Sequence, residues 1–421
     1  MKMISVLPAA LAALAAAYIL IGAWLNHAFG ADPSRRTPAA ERGEGAHPLR
    51  LVASHVSAAI GSGALAALMA GEEAGNGFIL LCAVLGGMAI GGAASYGALF
   101  ICVRRGGEPL YNALRDAFGG ALSLAFLANM FLSLTVLTGM STALAAECAQ
   151  RAASVYDIWM PRYAWTAGVM LIGLLLSCVS GDGLRRAGGA LCAALTAALA
   201  GAILLGTPVD QSALGKEWIA PGMGAKQLLT AAACGVSTGL HGVFLAGSTA
   251  QRIASERHMR TAAYGGALLM AAICAIALGT SGVDLSASLA FSLGIPQEIV
   301  VVVLLMMNSL LSLYALQASL RSVRSLAHEC RRPALPGMKP RMDWTRLAPV
   351  ASFALCAVVA LAGMDAVITS AVTALLLTSA FVCALVCCWM HRVGRRGWPY
   401  AVLAVLLGIL GFAADLRVFY G

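Results

Sequence analysis

Charge is what this chain has least of. Asp, Glu, Lys and Arg make up 11% of its 421 residues, against about 25% in an ordinary soluble domain. No water-soluble domain of useful size is left over once the apolar stretches are set aside. Reaction motifs are missing as well. The sequence contains no HExxH pattern, no paired aspartates inside an apolar stretch and no GxxxxGK[ST] loop. An intramembrane hydrolase and an ATP-driven pump are therefore not expected. The 12 cysteines include no CxxC-type pair, and almost all lie within apolar runs. Cys383, Cys387 and Cys388 share a helical neighbourhood without added His or acidic ligands. They read as small buried helix residues, so no catalytic residue, metal site or cofactor is expected.

What fills the sequence is hydrocarbon. Hydrophobic residues make up 60% of the chain and the mean hydropathy is +0.83. Apolar runs of about 20 residues recur along its length, each enough to cross a bilayer. The fold class expected is an all-α polytopic membrane protein in a single transmembrane domain, 1–421. It has about twelve transmembrane helices, at 5–29, 51–70, 77–103, 120–147, 164–181, 187–206, 225–249, 262–280, 296–320, 347–363, 366–390 and 398–414. The first apolar region exceeds the 7–15 residues of a signal peptide and reads as a retained span. Residues 108–119 read as a small interfacial helix.

The net charge of +9 does not indicate nucleic acid. Most of the 28 basic residues fall in alternate short loops: Arg35, Arg36, Arg42 and Arg50, then Arg104, Arg105 and Arg115, then Arg185 and Arg186, then Arg252, Arg257 and Arg260, then 321–346, then Arg392, Arg395 and Arg396. The opposite loops carry Glu72, Glu73, Asp157, Asp210, Asp284 and Asp365. By the positive-inside rule the basic loops are cytoplasmic, and both termini lie outside a multi-pass inner (plasma) membrane protein.

Two spans hold a histidine beside a run of glycine and hydroxyl residues: Ser54-His55 through Gly61-Ser62-Gly63, and Cys234-Gly235-Val236-Ser237-Thr238-Gly239-Leu240-His241-Gly242. A histidine in hydrocarbon must face protein or water, and a glycine break is tolerated only where backbone lines a cavity. Paired breaks five spans apart start on opposite sides. They predict an inverted 5+5 repeat, 51–206 and 225–390, with peripheral spans 5–29 and 398–414 and a site at mid-depth. Half-helices starting near Gly63 and Gly239 then face an anionic group, and carbonyls near Gly61 and Ser237 face a cation or donor.

Each candidate has a plainer alternative. His55 and His241 either bind a substrate or move a proton, or are neutral groups bonded to neighbouring helices. The glycines either break the helix or let helices pack closely. Ser62, Ser237 and Thr238 either bind a ligand or bond back to their own helix. Asn129, Asn308, Ser312 and Gln317 either line the cavity or join helices. Glu147, Asp365 and Asp415 sit at span ends, where water reaches them.

Several motifs, taken together, resemble the carbon starvation protein A family. Asp32-Pro33-Ser34-Arg35-Arg36-Thr37-Pro38-Ala39 resembles that family's pre-helix motif. Ala53–Ala64 follows as its histidine and Gly-x-Gly stretch, then Arg104-Arg105-Gly106-Gly107. Ala233-Cys234-Gly235 through His241 resembles its most specific motif, followed by Gly247-Ser248-Thr249, Glu256 and Tyr264-Gly265-Gly266. Arg321-Ser322-Val323-Arg324 ends the match. The resemblance implies a fold similar to amino acid–polyamine–organocation transporters and uptake of peptides or pyruvate, with a coupling proton or sodium ion. The partners it implies are a small-molecule substrate and the lipid bilayer. The sequence departs from the pattern at Ser95, Met270, Asn308 and Gln317, where the family carries acids, and at Ala64, where it carries proline. An amide or hydroxyl cannot carry the proton a carboxylate can. Coupling then falls to the histidines, or is absent, or the chain is a non-transporting sensor or accessory subunit.

Overall fold

The computed structural model describes residues 3–41, 43, 45–59, 67, 74–108, 110–178, 222–279, 296–300, 302, 354–361 and 364–415. All named elements among them are helical. Six described helices are long and apolar enough to cross a membrane: Val6–Phe29, Gly77–Arg104, Gly120–Ser154, Ala225–Ala250, Glu256–Ile276 and Val367–Arg392. The chain is a multi-pass membrane protein. The expected spans at these places hold, except that the fifth of them begins earlier, at Glu256 rather than 262. The expected span 187–206, and most of 296–320 and 347–363, lie outside the described residues.

Helix α1 (Met3–Phe29) is a single apolar rod that tolerates Pro8 in its early turns. A short stretch leads to α2 (Pro48–Ala59), where Leu51, Val52, His55 and Val56 form the buried stripe. The next span is α3 (Asn76–Leu85) and α4 (Gly92–Arg104), joined by a π-helical turn at Gly86–Gly91. The expected interfacial helix is α5 (Leu110–Phe118), amphipathic and pinned by Arg105 to Asp116 at 2.6 Å. Helix α6 (Gly120–Ser154) and α7 (Arg162–Cys178) form an antiparallel pair. The span Ala225–Ala250 is two helices, α8 (Ala225–Ser237) and α9 (Gly242–Ala250). A second π-helical turn, Arg260–Gly265, opens α10 (Gly266–Gly279). Helices α11 (Met364–Arg392) and α12 (Trp398–Ala413) close the described chain.

These helices form two packing groups. In one, α3 and α4 lie against α8 and α9, and α10 lies against α2, α3 and α1. In the other, α11 packs between α6 and α12. An aromatic cluster welds the groups. Phe29 meets Tyr96 at 5.3 Å, Phe100 at 5.0 Å and Tyr400 at 5.7 Å, and Phe100 meets Trp389 at 5.2 Å. Edge and tilted contacts of this kind add about 0.5–1.5 kcal/mol per pair beyond burial. The Tyr96 hydroxyl donates to Asn26 Oδ1 at 2.6 Å, and the Tyr400 hydroxyl to the Ala93 carbonyl at 3.0 Å.

Among the described residues, basic loops meet at one end. Arg104 donates to the Gly30 carbonyl at 3.0 Å, and Arg395 to the His27 carbonyl at 3.0 Å and the Ala28 carbonyl at 2.5 Å. Arg104 also pairs with Glu256. At the other end Lys226 pairs with Asp415 at 3.3 Å. The expected span-end acids are thus occupied: Asp415 in this pair, and Glu147 with Arg151 one turn on.

Candidate functional site

The span Ala225–Ala250 is interrupted where the sequence places its glycine-hydroxyl run, but by a tightening rather than an open coil. Thr238, Gly239 and Leu240 donate their amides three residues back, to the Gly235, Val236 and Ser237 carbonyls at 3.3, 3.4 and 3.2 Å. The half-helix expected near Gly239 starts three residues later, at Gly242, with His241 as its N-cap residue. The Ser237 and Thr238 hydroxyls bond back to the Cys234 and Gly235 carbonyls, each at 2.8 Å. In this conformation the carbonyls at the break are engaged by the chain itself.

The glycines make this interruption possible by letting backbones touch. A methyl on Gly235 would sit 2.6 Å from Cys82 Cβ, and one on Gly86 would sit 2.7 Å from Val236 Cα. A methyl on Gly91 would lie 2.5 Å from the Gly239 carbonyl carbon. Close packing and the helix break are therefore one feature. The π-helical turn Gly86–Gly91 lies against the interruption. Its Met88 carbonyl accepts from the Tyr264 hydroxyl at 3.0 Å, and a methyl on Gly92 would strike the Tyr264 ring at 2.5 Å. Two π-helical turns, in spans far apart in sequence, thus meet at one ring.

Both candidate histidines are buried here, His55 at 3% exposure and His241 at 4%. His241 is the N-cap residue of α9, and His55 of α2 lies against the Gly242 that follows it. His55 Nε2 and Thr249 Oγ1 are 3.0 Å apart, joining α2 to α9. His55 Nδ1 and the hydroxyl of buried Ser95 have no hydrogen-bond partner among the described residues. Both atoms look onto Gly242. A methyl there would lie 2.5 Å from Ser95 Oγ and 3.4 Å from His55 Nδ1. One on Gly266 would lie 3.0 Å from His55 Nδ1. The result is a tightly closed polar seam inside the bundle of α2, α4, α9 and α10. Unpaired buried polar atoms cost about 1–3 kcal/mol each, so these two are the polar atoms of the seam with capacity left for a further hydrogen bond.

The other candidates divide. Gly61, Ser62, Gly63, Asn308, Ser312 and Gln317 lie outside the described residues, as does the Asp365 side chain. Asn129 joins helices, donating to Thr378 Oγ1 at 2.6 Å, with Ser133 Oγ 3.1 Å from the same hydroxyl. No group of three metal-ligating side chains occurs among the described residues. Sequence reasoning left Thr249, Gly242 and Gly266 out of the site. Their signals were the Gly247-Ser248-Thr249 and Tyr264-Gly265-Gly266 matches, which give residue types without saying what they face.

No family model matches the chain, and no curated protein matches it. Solved structures do match in fold. Mhp1, a nucleobase-cation-symport-1 family transporter in a closed conformation with bromovinylhydantoin bound, is 17% identical. The match covers 92% of this chain and 94% of that one, with a TM-score of 0.63. MhsT in complex with L-phenylalanine is 14% identical over 88% and 99%, TM-score 0.59. A manganese transporter of Eremococcus coleocola is 14% identical over 86% and 85%, TM-score 0.55. The chain shares the fold of these proteins.

Proposed function

We propose that this chain is a secondary transporter that moves a small organic solute across the inner membrane by alternating access. The observation that carries the reading is the interrupted span Ala225–Ala250. Its tightened turn ends at His241, and the Gly242 that follows lies against a second histidine, His55 of α2, in a buried polar seam lined by glycine. Interrupted helices meeting at a polar, glycine-lined site inside the membrane are how transporters of this type bind their cargo. The fold likeness to Mhp1 and MhsT supports it. In the full reading there are twelve spans in a 5+5 inverted repeat, and His55, Ser237, Thr238, Gly239, His241, Asn308, Ser312 and the 61–63 stretch form the site. The substrate class, a peptide or a pyruvate-like carboxylate, and a coupling proton or sodium ion rest on the resemblance to the carbon starvation protein A family.

The test is uptake by purified protein in liposomes, using labelled pyruvate and a small peptide panel under imposed proton or sodium gradients. Gradient-driven uptake that His241→Ala reduces at least tenfold is the expected result. No uptake of any panel member by folded protein would overturn the substrate class. One observation favours a second reading, a non-transporting sensor. Ser95 and Met270 are both buried and neutral where the resemblance calls for acids. A saturable ligand-induced stabilisation without uptake would establish that reading instead.

A further inference from the structure

His55 Nδ1 and Ser95 Oγ, the two seam atoms with hydrogen-bonding capacity to spare, come from different helices and face one glycine. Both lie within 3.4 Å of the point that a Gly242 methyl would occupy. The other ring nitrogen of His55 is taken, with Nε2 3.0 Å from Thr249 Oγ1. A neutral imidazole carries one hydrogen, on one nitrogen only. Placed on Nδ1, it would be a buried N–H without an acceptor. Placed on Nε2, it is given to Thr249. The second arrangement leaves no N–H of the ring unpaired, so Nδ1 holds a bare lone pair.

Space and charge both restrict what that lone pair can take. A methyl on Gly242 would strike Ser95 Oγ at 2.5 Å and Ser95 Cβ at 2.8 Å. One on Gly266 would stand 3.0 Å from His55 Nδ1 and 3.1 Å from His55 Cβ. Neither side has room for an added atom the size of carbon. A hard cation takes several oxygen ligands, and the seam offers two hydroxyls, one of them already bonded to His55. The helices around it, α2, α4, α9 and α10, contain no aspartate or glutamate. Their other ionisable side chains are turned elsewhere. Tyr96 donates to Asn26, and Arg104 to Glu256. In the π-helical turn before α10, Tyr264 donates to the Met88 carbonyl and Arg260 lies over the Tyr18 ring. Arg50, Cys102 and Cys274 stand more than a turn away along their helices. His241, just before Gly242, is the one other titratable group beside the seam among the described residues.

We propose that the coupling ion of this protein is a proton, and that His55 takes it up at Nδ1. The proposal rests on the transporter reading and names its ion. The proton adds to the Nδ1 lone pair and no other bond breaks. The imidazolium so formed has a new N–H, and the Ser95 hydroxyl oxygen is an acceptor on the same glycine face. An imidazolium shut among helices that hold no carboxylate is costly. The closed seam therefore keeps His55 neutral, and the proton enters when the seam parts and water reaches Nδ1. Charge and closure oppose each other by linkage. Acid favours the open arrangement, and closing releases the proton. Thr249 is a positioning residue, because its hydroxyl sets which nitrogen is bare.

Histidine ring resonances of the full chain in lipid nanodiscs, without solute, test this. His55 is the only histidine that follows a serine, so labelling serine carbonyls together with histidine picks it out in the unsubstituted protein. At about pH 8 its ring is expected neutral with the hydrogen on Nε2, and an imidazolium population is expected to grow toward about pH 5. Genetically encoded spin-label residues at exposed Leu49 and Ser248 report the separation of α2 from α9. A second, longer distance is expected to appear over the same pH interval and to lose its pH dependence in His55→Gln. Thr249→Val is expected to mix the two neutral tautomers, which a loss of packing alone would not do. A ring that stays neutral down to about pH 5, or that carries its neutral hydrogen on Nδ1, would overturn the proposal. So would an unchanged pH response in His55→Gln, or a distance that follows sodium-for-potassium exchange at fixed pH. Should His55→Gln fail to fold, the ring resonances of the unsubstituted protein decide alone. No step needs a solute. Failed uptake therefore tells against the solute class, and a neutral ring tells against the proton site.

Discussion

Gly91 and Gly239 face each other across two spans with no side chain between them. A methyl on Gly91 would stand 2.5 Å from the Gly239 carbonyl carbon and 2.6 Å from its oxygen. Backbone cannot rotate aside as a side chain can, so Gly91→Ala is expected to cost about 1–3 kcal/mol or more, read as a lower midpoint of thermal unfolding in detergent. Gly120→Ala meets nothing within 4 Å and serves as the control. Outside the membrane, Asp32 offers a titration. The Ser34 hydroxyl, at 2.7 Å, and then the Ser34 amide, at 2.9 Å, hold its carboxyl below the ordinary value of 3.8. A carboxyl lowered on folding stabilises the folded loop above its ordinary value and loses that contribution as pH falls through the lowered one. Ser34→Ala is expected to move the Asp32 midpoint up toward 3.8, seen in its carboxyl carbon shift. At this scale the sequence was readable by type and not by partner. His55 and His241 stood out because a histidine is conspicuous in hydrocarbon. For Ser237 and Thr238 two options stood open, a ligand or a bond back to their own helix, and in this conformation both bond back to carbonyls three residues away. A hydroxyl in a helix has that option at every position, and only coordinates show which it takes.

Helices that depart from regular geometry carry the site. The π-helical turns at Gly86–Gly91 and Arg260–Gly265 each widen one turn, and such turns concentrate at functional places. Here they meet through Tyr264, whose hydroxyl satisfies the Met88 carbonyl at 3.0 Å. Tyr264→Phe keeps the ring against Gly92 and removes that donor. It is expected to destabilise the fold by about 1–3 kcal/mol, the cost of an unpaired buried acceptor, as measured by thermal unfolding. Neither turn is visible in the sequence. A π-helical turn adds one residue without altering composition, and the run Gly86-Gly87-Met88-Ala89-Ile90-Gly91 reads as close packing alone. The break at Thr238–His241 was legible because glycines and hydroxyl residues, Gly235 to Gly239, stand beside a histidine within one apolar span. Its exact start was not, because three-residue hydrogen bonds let the chain stay compact where an open coil was expected. By contrast α5 was legible outright, since an amphipathic period survives in a short segment with no competing apolar run.

Sidedness is a property of the whole molecule, and it follows from where ends meet. Helix α1 has 27 residues, about 40 Å at 1.5 Å each, so its Met3 end lies a full membrane thickness from Phe29. The Phe29 end is held by Arg104 and Arg395, among the basic loops. Helix α12 leaves that same end just after Arg395. It finishes where the Thr230 hydroxyl reaches the Ala413 carbonyl at 3.2 Å and Lys226 meets Asp415. Met3 and Asp415 therefore share the face opposite the arginines. This agrees with the alternation of charge read from the loops. That alternation was legible because it depends on counting basic residues between spans and not on any contact. The positive-inside rule, which places Arg and Lys on the side that is not translocated, predicts the arginine face to be the cytoplasmic one. A reporter active only outside the cytoplasm, fused after Gly421, is expected to be active, and one fused within the Arg392–Arg396 loop is expected to be silent. Lys2 is the one cation that pulls the other way at the first span. A single charge against Arg35, Arg36 and Arg50 at the far end of α1 should not reverse it, so Lys2→Gln is expected to leave both readings unchanged. Activity in the Arg392–Arg396 fusion and silence after Gly421 would invert the molecule.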